Sequence, residues 1–336
     1  MIKVAINGFG RIGRPTFKRL IENHSKEIEV VAINDLTDTK TLAHLLKYDS
    51  VHGIYDKEIG YTEKEIKVEE KSYTVLAEKE PGKLPWKKLE VDVVLECTGF
   101  FTNYEGAKPH LTAGAKKVII SAPCKSEEIP TYVLGGNEEK YNPGEDNIIS
   151  MGSCTTNCLV PMVKILNDNL TIERALMTTI HSYTSTQRIV DGPHKDLRRG
   201  RAAAVNIIPT TTGAAISTVR VLPELENKLD GIAIRVPTVA GSLSDVTAQV
   251  KKETSVEEVN NLFKESAENK LKGIVAFEKK PLVSTDFIGN PHSVIIDSQF
   301  TNVQDGHLVK ILGWYDNEWG YACRLAEMAE FMGKKL

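Results

Sequence analysis

The sequence predicts an α/β chain in two parts: a doubly wound parallel sheet, then an α+β region on a mixed or antiparallel sheet. Three observations carry this. Through the first half, short apolar runs alternate with helical patterns, the rhythm of strand–helix–strand units. A glycine-rich turn stands between the first strand pattern and the first helix pattern. Beyond residue 154 the strand-like runs lengthen and fewer helices separate them, which suits antiparallel pairing. A chain of 336 residues is long enough for two cores.

Composition narrows the class. With 41% hydrophobic and 26% charged residues, the chain reads as an ordinary soluble globular protein. Its 42 basic and 45 acidic residues leave a net charge of −3, so no nucleic-acid or membrane partner is expected. No run of about 18 apolar residues offers a membrane span, and the start enters strand-like sequence without a signal-peptide pattern. Five scattered cysteines do not form a disulfide framework, and a reducing cytoplasm is the expected location. No metal site is expected: Cys154 and Cys158 have the spacing of one helix face but no second ligand pair.

Taken in order, residues 2–6 form a buried strand, followed by Asn7-Gly8-Phe9-Gly10-Arg11-Ile12-Gly13-Arg14 and a helix with Phe17, Leu20 and Ile21 on one face. In Gly-x-Gly-x-x-Gly the first glycine makes the tight turn, the second lets backbone approach a pyrophosphate, and the third lets helix pack on strand. The helix N-terminus then faces the phosphates. A second strand, 28–33, runs into Asn34-Asp35, and Asp35 lies 22 residues after Gly13, the spacing of an acid for ribose hydroxyls. Such an acid repels a 2′-phosphate, and Leu36 supplies no arginine, so NAD is expected over NADP. The unit is a Rossmann-type dinucleotide domain. It continues with a helix at 38–47, a hairpin at 64–76 and strands at 91–96 and 117–120. Ligands of such sheets bind beyond the strands' C-terminal ends, which brings in Thr98, Gly99 and Ser121. Gly8, Gly10, Arg11, Ile12, Gly13, Asp35 and Lys79 complete the expected cofactor set apart from one residue near the C-terminus. The first domain is expected over 1–153, completed by a C-terminal helix at 318–336, with the substrate domain over 154–317.

The second part opens on Ser153-Cys154-Thr155-Thr156-Asn157-Cys158, just before a helical run. A thiol at a helix N-terminus sits in the positive end of the macrodipole, which favours the nucleophilic thiolate. Standing alone it would be a small buried residue. His181 ends the strand at 175–180, so a rigid element aims it, and an imidazole near Cys154 suits proton transfer. Thr210-Thr211-Thr212-Gly213 opens a helix at Ala214, a place for an anion. Arg198-Arg199-Gly200-Arg201 lies in a long loop, 182–206, where one arginine beside a phosphate would bind bidentately. Arg235 interrupts an apolar strand, 231–236, and a charge there needs a partner or a ligand. Further strands at 242–250 and 307–312 follow. A helix at 256–272 starts with a capping box of Ser255 and Glu258, and a last helix spans 319–332.

These motifs, together with His181-Ser182-Tyr183-Thr184, Arg235-Val236-Pro237-Thr238 and Trp314-Tyr315-Asp316-Asn317-Glu318, occur in an order that resembles the phosphorylating glyceraldehyde-3-phosphate dehydrogenase family along the whole chain. The resemblance implies oxidation of glyceraldehyde 3-phosphate with NAD and inorganic phosphate, Cys154 as nucleophile and His181 as its base. It implies one phosphate site at Ser153, Thr155, Thr212 and Gly213, and another at Thr184 and Arg235 with Arg201 nearby. It implies that Asn317 holds the nicotinamide carboxamide, and that the loop 182–206 packs between subunits of a homotetramer. Three departures stand out: Met151-Gly152 in place of Asn-Ala, Ile216 in place of lysine, and Val239-Ala240-Gly241-Ser242 in place of a Pro-Asn-Val-Ser-type run. Two alternatives are erythrose-4-phosphate dehydrogenase, through Asn290-Pro291-His292-Ser293 and neighbours, and a redox-sensing paralogue with weak catalysis.

Overall fold

The computed structural model describes residues 1–124 and 126–336. Among them the chain forms two compact units, each holding an eight-stranded sheet. One unit is Met1–Tyr132 with Glu139–Gly152 and Ala322–Leu336; the other is Val133–Glu138 with Ser153–Tyr321.

In the first unit the strands lie in the order Ile148–Ser150, Lys117–Ile120, Val93–Glu96, Ile2–Asn7, Ile28–Asn34, Lys71–Leu76, Glu65–Val68 and Ile59–Tyr61. The first six are parallel, and the last two add the antiparallel hairpin that the alternation at 64–76 predicts. Read by chain order, the parallel set is the 3-2-1-4-5-6 arrangement of a Rossmann sheet. Its strands read as near-continuous apolar runs because both faces are covered: Val4, Ala5, Ile6, Val93, Val94 and Leu95 have no exposure. The chain reverses its direction of travel across the sheet between Ile2–Asn7 and Val93–Glu96. The crevice beyond their carboxyl ends is therefore where a ligand of this fold sits.

In the second unit the order is Ile208–Thr211, Leu229–Val236, Ile172–Ser182, Ser242–Val250, Leu308–Tyr315, Val294–Asp297 and Val275–Glu278, with Asn302–Gln304 also paired to Leu308–Tyr315. Two pairings are parallel and the others antiparallel, so the sheet is mixed. Helix Cys154–Leu170 runs through this unit's core, with Cys158, Leu159, Val160, Met162, Val163 and Leu166 fully buried. A helix hidden on nearly all sides has no polar face, which is why its pattern reads as a continuous apolar run. Helix Val256–Glu268 begins with the expected reciprocal cap between Ser255 and Glu258. It ends four residues before the predicted stop, at Asn269, and Gly273 instead takes a positive φ in the following turn.

Candidate active site

The glycine turn of the first unit is a cradle made of backbone. Gly8 has φ +95°, and a Cβ there would stand 2.7 Å from the Thr98 amide nitrogen. A Cβ on Gly13 would stand 2.1 Å from the Gly8 carbonyl oxygen. At Gly10 no heavy atom lies within 4 Å of where a Cβ would be, so this position opens onto free space. Two glycines close the turn and one leaves room for a pyrophosphate, as the spacing requires. Asp35 Oδ2 accepts from the Phe9 amide at 2.8 Å and Oδ1 from the Thr37 amide at 2.9 Å. The carboxylate is thereby fixed at the mouth of the turn with lone pairs left for ribose hydroxyls. Exposed Leu36 follows it, so the local sequence brings no cation for a 2′-phosphate. These residues fit a dinucleotide. Gly99, with φ +74° and open space around it, and Ser121, whose amide donates to the Glu96 carbonyl, line the ends of the neighbouring strands. Arg11 is held by Asp49 at 2.6 Å, Ile12 precedes the first helix as its N-cap residue, and Lys79 lies exposed beyond the third strand.

The second unit gathers its polar groups from several elements. Ser153 is the N-cap of helix Cys154–Leu170: its Oγ accepts from the Thr156 amide at 3.0 Å, and Thr156 Oγ1 accepts from the Ser153 amide at 3.1 Å. This reciprocal cap fixes the entry to the helix and leaves Cys154 as its first residue. Cys154 Sγ lies 3.4 Å from Nε2 of His181, which ends the long central strand and is buried. Tyr315 reaches in from the neighbouring sheet region. Its hydroxyl bonds Thr155 Oγ1 at 3.0 Å and Thr179 Oγ1 at 2.8 Å, tying the helix start to the strand that bears His181. Its ring meets the imidazole edge-on at 6.0 Å. Sequence reasoning quoted Tyr315 within a motif but gave it no role, because neither bond is local in the chain.

Arg235 stands on the other side of the imidazole. Its Nη1 is 2.6 Å from His181 Nδ1 and donates to the Ser182 carbonyl at 2.9 Å, while its buried Nε has no hydrogen-bond partner. The parallel pairing of the two strands sets His181 opposite Arg235 in register, which is why the charge interrupts that strand. Burial and the adjacent guanidinium together push His181 down to about 3. Burial also raises the Cys154 thiol above its ordinary value, opposed by Arg235 and by the Thr155 and Cys154 amides. Burial thus opposes the thiolate that the helix N-terminus favours, while Arg235 and the amides at the helix start act in its favour.

The threonine run also lies as expected: Thr210 and Thr211 end a strand, Thr212 Oγ1 accepts from the Ala214 amide at 3.2 Å, and Gly213 precedes helix Ala214–Val221. Of the cluster Arg198-Arg199-Gly200-Arg201, the arginine that reaches it is Arg199. Arg199 donates from Nε to Thr210 Oγ1 at 2.8 Å and from Nη2 to the Thr211 carbonyl at 3.0 Å. Arg201 instead pairs with Asp191 at 2.9 Å on the surface. Two arginines two residues apart cannot be told apart without the path of the loop, so no local signal could have chosen. Thr184 Oγ1 pairs with Thr186 Oγ1 at 2.9 Å on the loop that follows His181. Asn317 is buried, and its Oδ1 accepts from Ser242 Oγ at 2.8 Å. Ser242 in turn accepts from the Ser182 amide, next to His181.

Two family models match: the glyceraldehyde 3-phosphate dehydrogenase NAD binding domain over residues 2–104, and the C-terminal domain of the same enzyme over 153–317. The chain is 56% identical to glyceraldehyde-3-phosphate dehydrogenase of Thermotoga maritima, over 99% of this chain and 100% of the relative. It is 54% identical to that of Geobacillus stearothermophilus, over 99% of each, and 53% identical to glyceraldehyde-3-phosphate dehydrogenase 2 of Streptomyces avermitilis, over 100% and 99%. The chain belongs to the glyceraldehyde 3-phosphate dehydrogenase family. As a member of it, the chain is an NAD-dependent oxidoreductase, and its first unit carries the family's NAD-binding fold. Among the described residues no helix is long and apolar enough to cross a membrane.

Proposed function

We propose that this enzyme oxidises glyceraldehyde 3-phosphate to 1,3-bisphosphoglycerate with inorganic phosphate, through a thioester on Cys154. The single observation that carries the residue assignment is the 3.4 Å contact between Cys154 Sγ and His181 Nε2 at a capped helix start. As sulfur adds to the aldehyde carbon, Nε2 takes the thiol proton and passes it to the new oxygen, giving a hemithioacetal. The amides of Cys154 and Thr155 reach the sulfur and suit charge developing on the adjacent oxygen. His181 then removes the hydroxyl proton. When bound, NAD supplies the hydride acceptor that makes this oxidation possible. Inorganic phosphate attacks the resulting thioester, the carbon–sulfur bond breaks, and Cys154 leaves to begin again.

Arg235 has a second task in this reading. A guanidinium beside His181 opposes protonation of the ring, and a substrate phosphate paired to Arg235 offsets that charge. Substrate binding thereby strengthens the base at the moment it is needed. Ser153, Thr155, Thr212 and Gly213 form one anion site, and Thr184 joins Arg235 at the other, where Arg199 lies close enough to act on the Arg235 charge. The relatives' shared name favours the three-carbon aldehyde over erythrose 4-phosphate. In and beside the loop 182–206, Ile189, Val190, Leu197, Val205 and Ile207 are all strongly exposed. That much open apolar surface supports a homotetramer with this loop at an interface, working in the cytoplasm.

The deciding experiment follows NADH formation with glyceraldehyde 3-phosphate, with and without inorganic phosphate, and with erythrose 4-phosphate in parallel. Rapid, phosphate-dependent turnover of the three-carbon aldehyde is expected. A burst of about one NADH per subunit that stalls despite phosphate would keep Cys154 as nucleophile and overturn the phosphate sites.

A further inference from the structure

We propose that Glu96 is the hub of a buried hydrogen-bond relay that positions the loops of the NAD crevice, a positioning residue for cofactor binding. The inference rests on the reading that these loops hold NAD.

Glu96 ends the strand Val93–Glu96 at the point where the sheet order reverses, and its side chain is completely buried. A buried carboxylate must be saturated with donors. Oε2 accepts from Asn7 Nδ2 at 2.5 Å and from His110 Nε2 at 3.0 Å. Oε1 accepts from the Thr98 amide at 2.8 Å and from the Thr98 hydroxyl. The donor roles are not arbitrary. Trp86 Nε1–H can only donate, and it donates to His110 Nδ1 at 2.9 Å, so the ring proton sits on Nε2 and points at Glu96. Likewise, Asn7 Oδ1 accepts from Asn34 Nδ2 at 2.7 Å, which leaves the Asn7 amino group facing the carboxylate.

The relay continues across the carboxyl ends of the strands. Asn34 donates to the Glu78 carbonyl at 2.9 Å and accepts from the Glu78 amide at 2.9 Å. Each member adjoins or belongs to one loop of the crevice. Asn7 precedes Gly8, Asn34 precedes Asp35, Glu78 precedes Lys79, and Thr98 itself leads into Gly99. Four loops that are far apart in sequence therefore share one chain of polar contacts. Each of these hydrogen bonds to Glu96, His110 Nδ1 and Asn34 has a single direction of donation, and such satisfied buried networks specify one geometry.

An amide cannot replace the carboxylate. In Glu96→Gln the new side chain would turn an amino group toward either the Thr98 amide or the Asn7 and His110 donors, and it has one acceptor oxygen for four donors. Moving the charge across the same bond should repair this. With Asn7→Asp added, the carboxylate introduced on that side could accept from the amino group introduced by Glu96→Gln while still accepting from Asn34.

The test measures NAD affinity by titration calorimetry, with melting temperature followed alongside, in Glu96→Gln, Asn7→Asp and the double variant. Each single change is expected to raise Kd for NAD about 10-fold or more, the size of one disrupted charged hydrogen bond. The double variant should bind NAD more tightly than either single. Wild-type affinity in Glu96→Gln, or a double variant no tighter than the weaker single, would overturn the relay. If these variants fail to fold, Trp86→Phe serves: it removes the indole donor, and the small cavity it also leaves in this buried site shows in the melting temperature. A several-fold higher Kd is expected there, with the rate at saturating NAD preserved. An unchanged Kd with a lowered melting temperature would make the network merely structural. Asp35→Ala separates the two readings: unchanged NAD affinity in that variant would refute the cofactor placement itself, whatever the Glu96 variants do.

Discussion

The NAD crevice is shaped mainly by backbone, whereas the cysteine–histidine site is made by side chains from separate segments. In the first, Gly8, Gly10 and Gly13 act through the atoms they lack. In the second, Cys154, His181, Arg235 and Tyr315 come from a helix and three strands, and each is useful only beside the others. A backbone cradle is local, so one stretch of sequence encodes it and small additions destroy it. A side-chain cluster is distributed, so its parts can be removed singly and their effects separated.

The comparison predicts where each kind of site breaks. The largest effect belongs to Cys154→Ser, which should cut turnover by roughly 10⁴-fold or more while leaving NAD affinity unchanged. Comparable loss of NAD binding in a calorimetric titration would show that the two sites are not separable. Next comes Gly13→Ala. A methyl group 2.1 Å from the Gly8 oxygen forces the turn open, and NAD affinity should fall on the order of 100-fold, with stability lowered as in other overpacked sites. Tight NAD binding by that variant would contradict a cradle built of backbone.

Arg235→Gln sharpens the comparison from the other side. Removing the cation proposed to pair with the substrate phosphate should lower kcat/KM for glyceraldehyde 3-phosphate about 10- to 100-fold. The same change lifts the charge that depresses His181. The neutral ring acts as base, so the acid limb of kcat/KM should move to higher pH. A limb that stays in place would mean Arg235 does not act on the imidazole. The smallest effect is expected for Ser255→Ala, away from both sites. Loss of this cap should lower stability by about 1 kcal/mol, with kinetic constants unaltered, as a denaturation curve and an assay would show.

The same contrast explains what could be read before folding. The place of Asp35 at the glycine turn is legible from its distance to Gly13, since a strand–turn–helix–strand unit fixes both ends of that spacing. The helix cap at Ser255 was legible because its partner is three residues away. Nothing local marks Arg199 out from Arg198 and Arg201 as the arginine on the threonine run, because its contact depends on how the loop 182–206 crosses that run. Tyr315 was named without a task, since its partners Thr155 and Thr179 are more than a hundred residues distant. The helix dipole at Cys154 is legible in the sequence, but the burial that opposes ionisation there is not.

Local patterning was therefore enough for the order of the Rossmann unit, NAD as the cofactor, the choice of Cys154 and His181 as the pair to examine, and the mixed sheet that follows. All of these rest on interactions within one motif or on a periodicity of a few residues. The 3.4 Å approach of sulfur to imidazole, the guanidinium pressed against Nδ1, and the relay through Glu96 emerge only in the folded chain. Those depend on strand register and on the removal of water, and neither is written in any short stretch of chain.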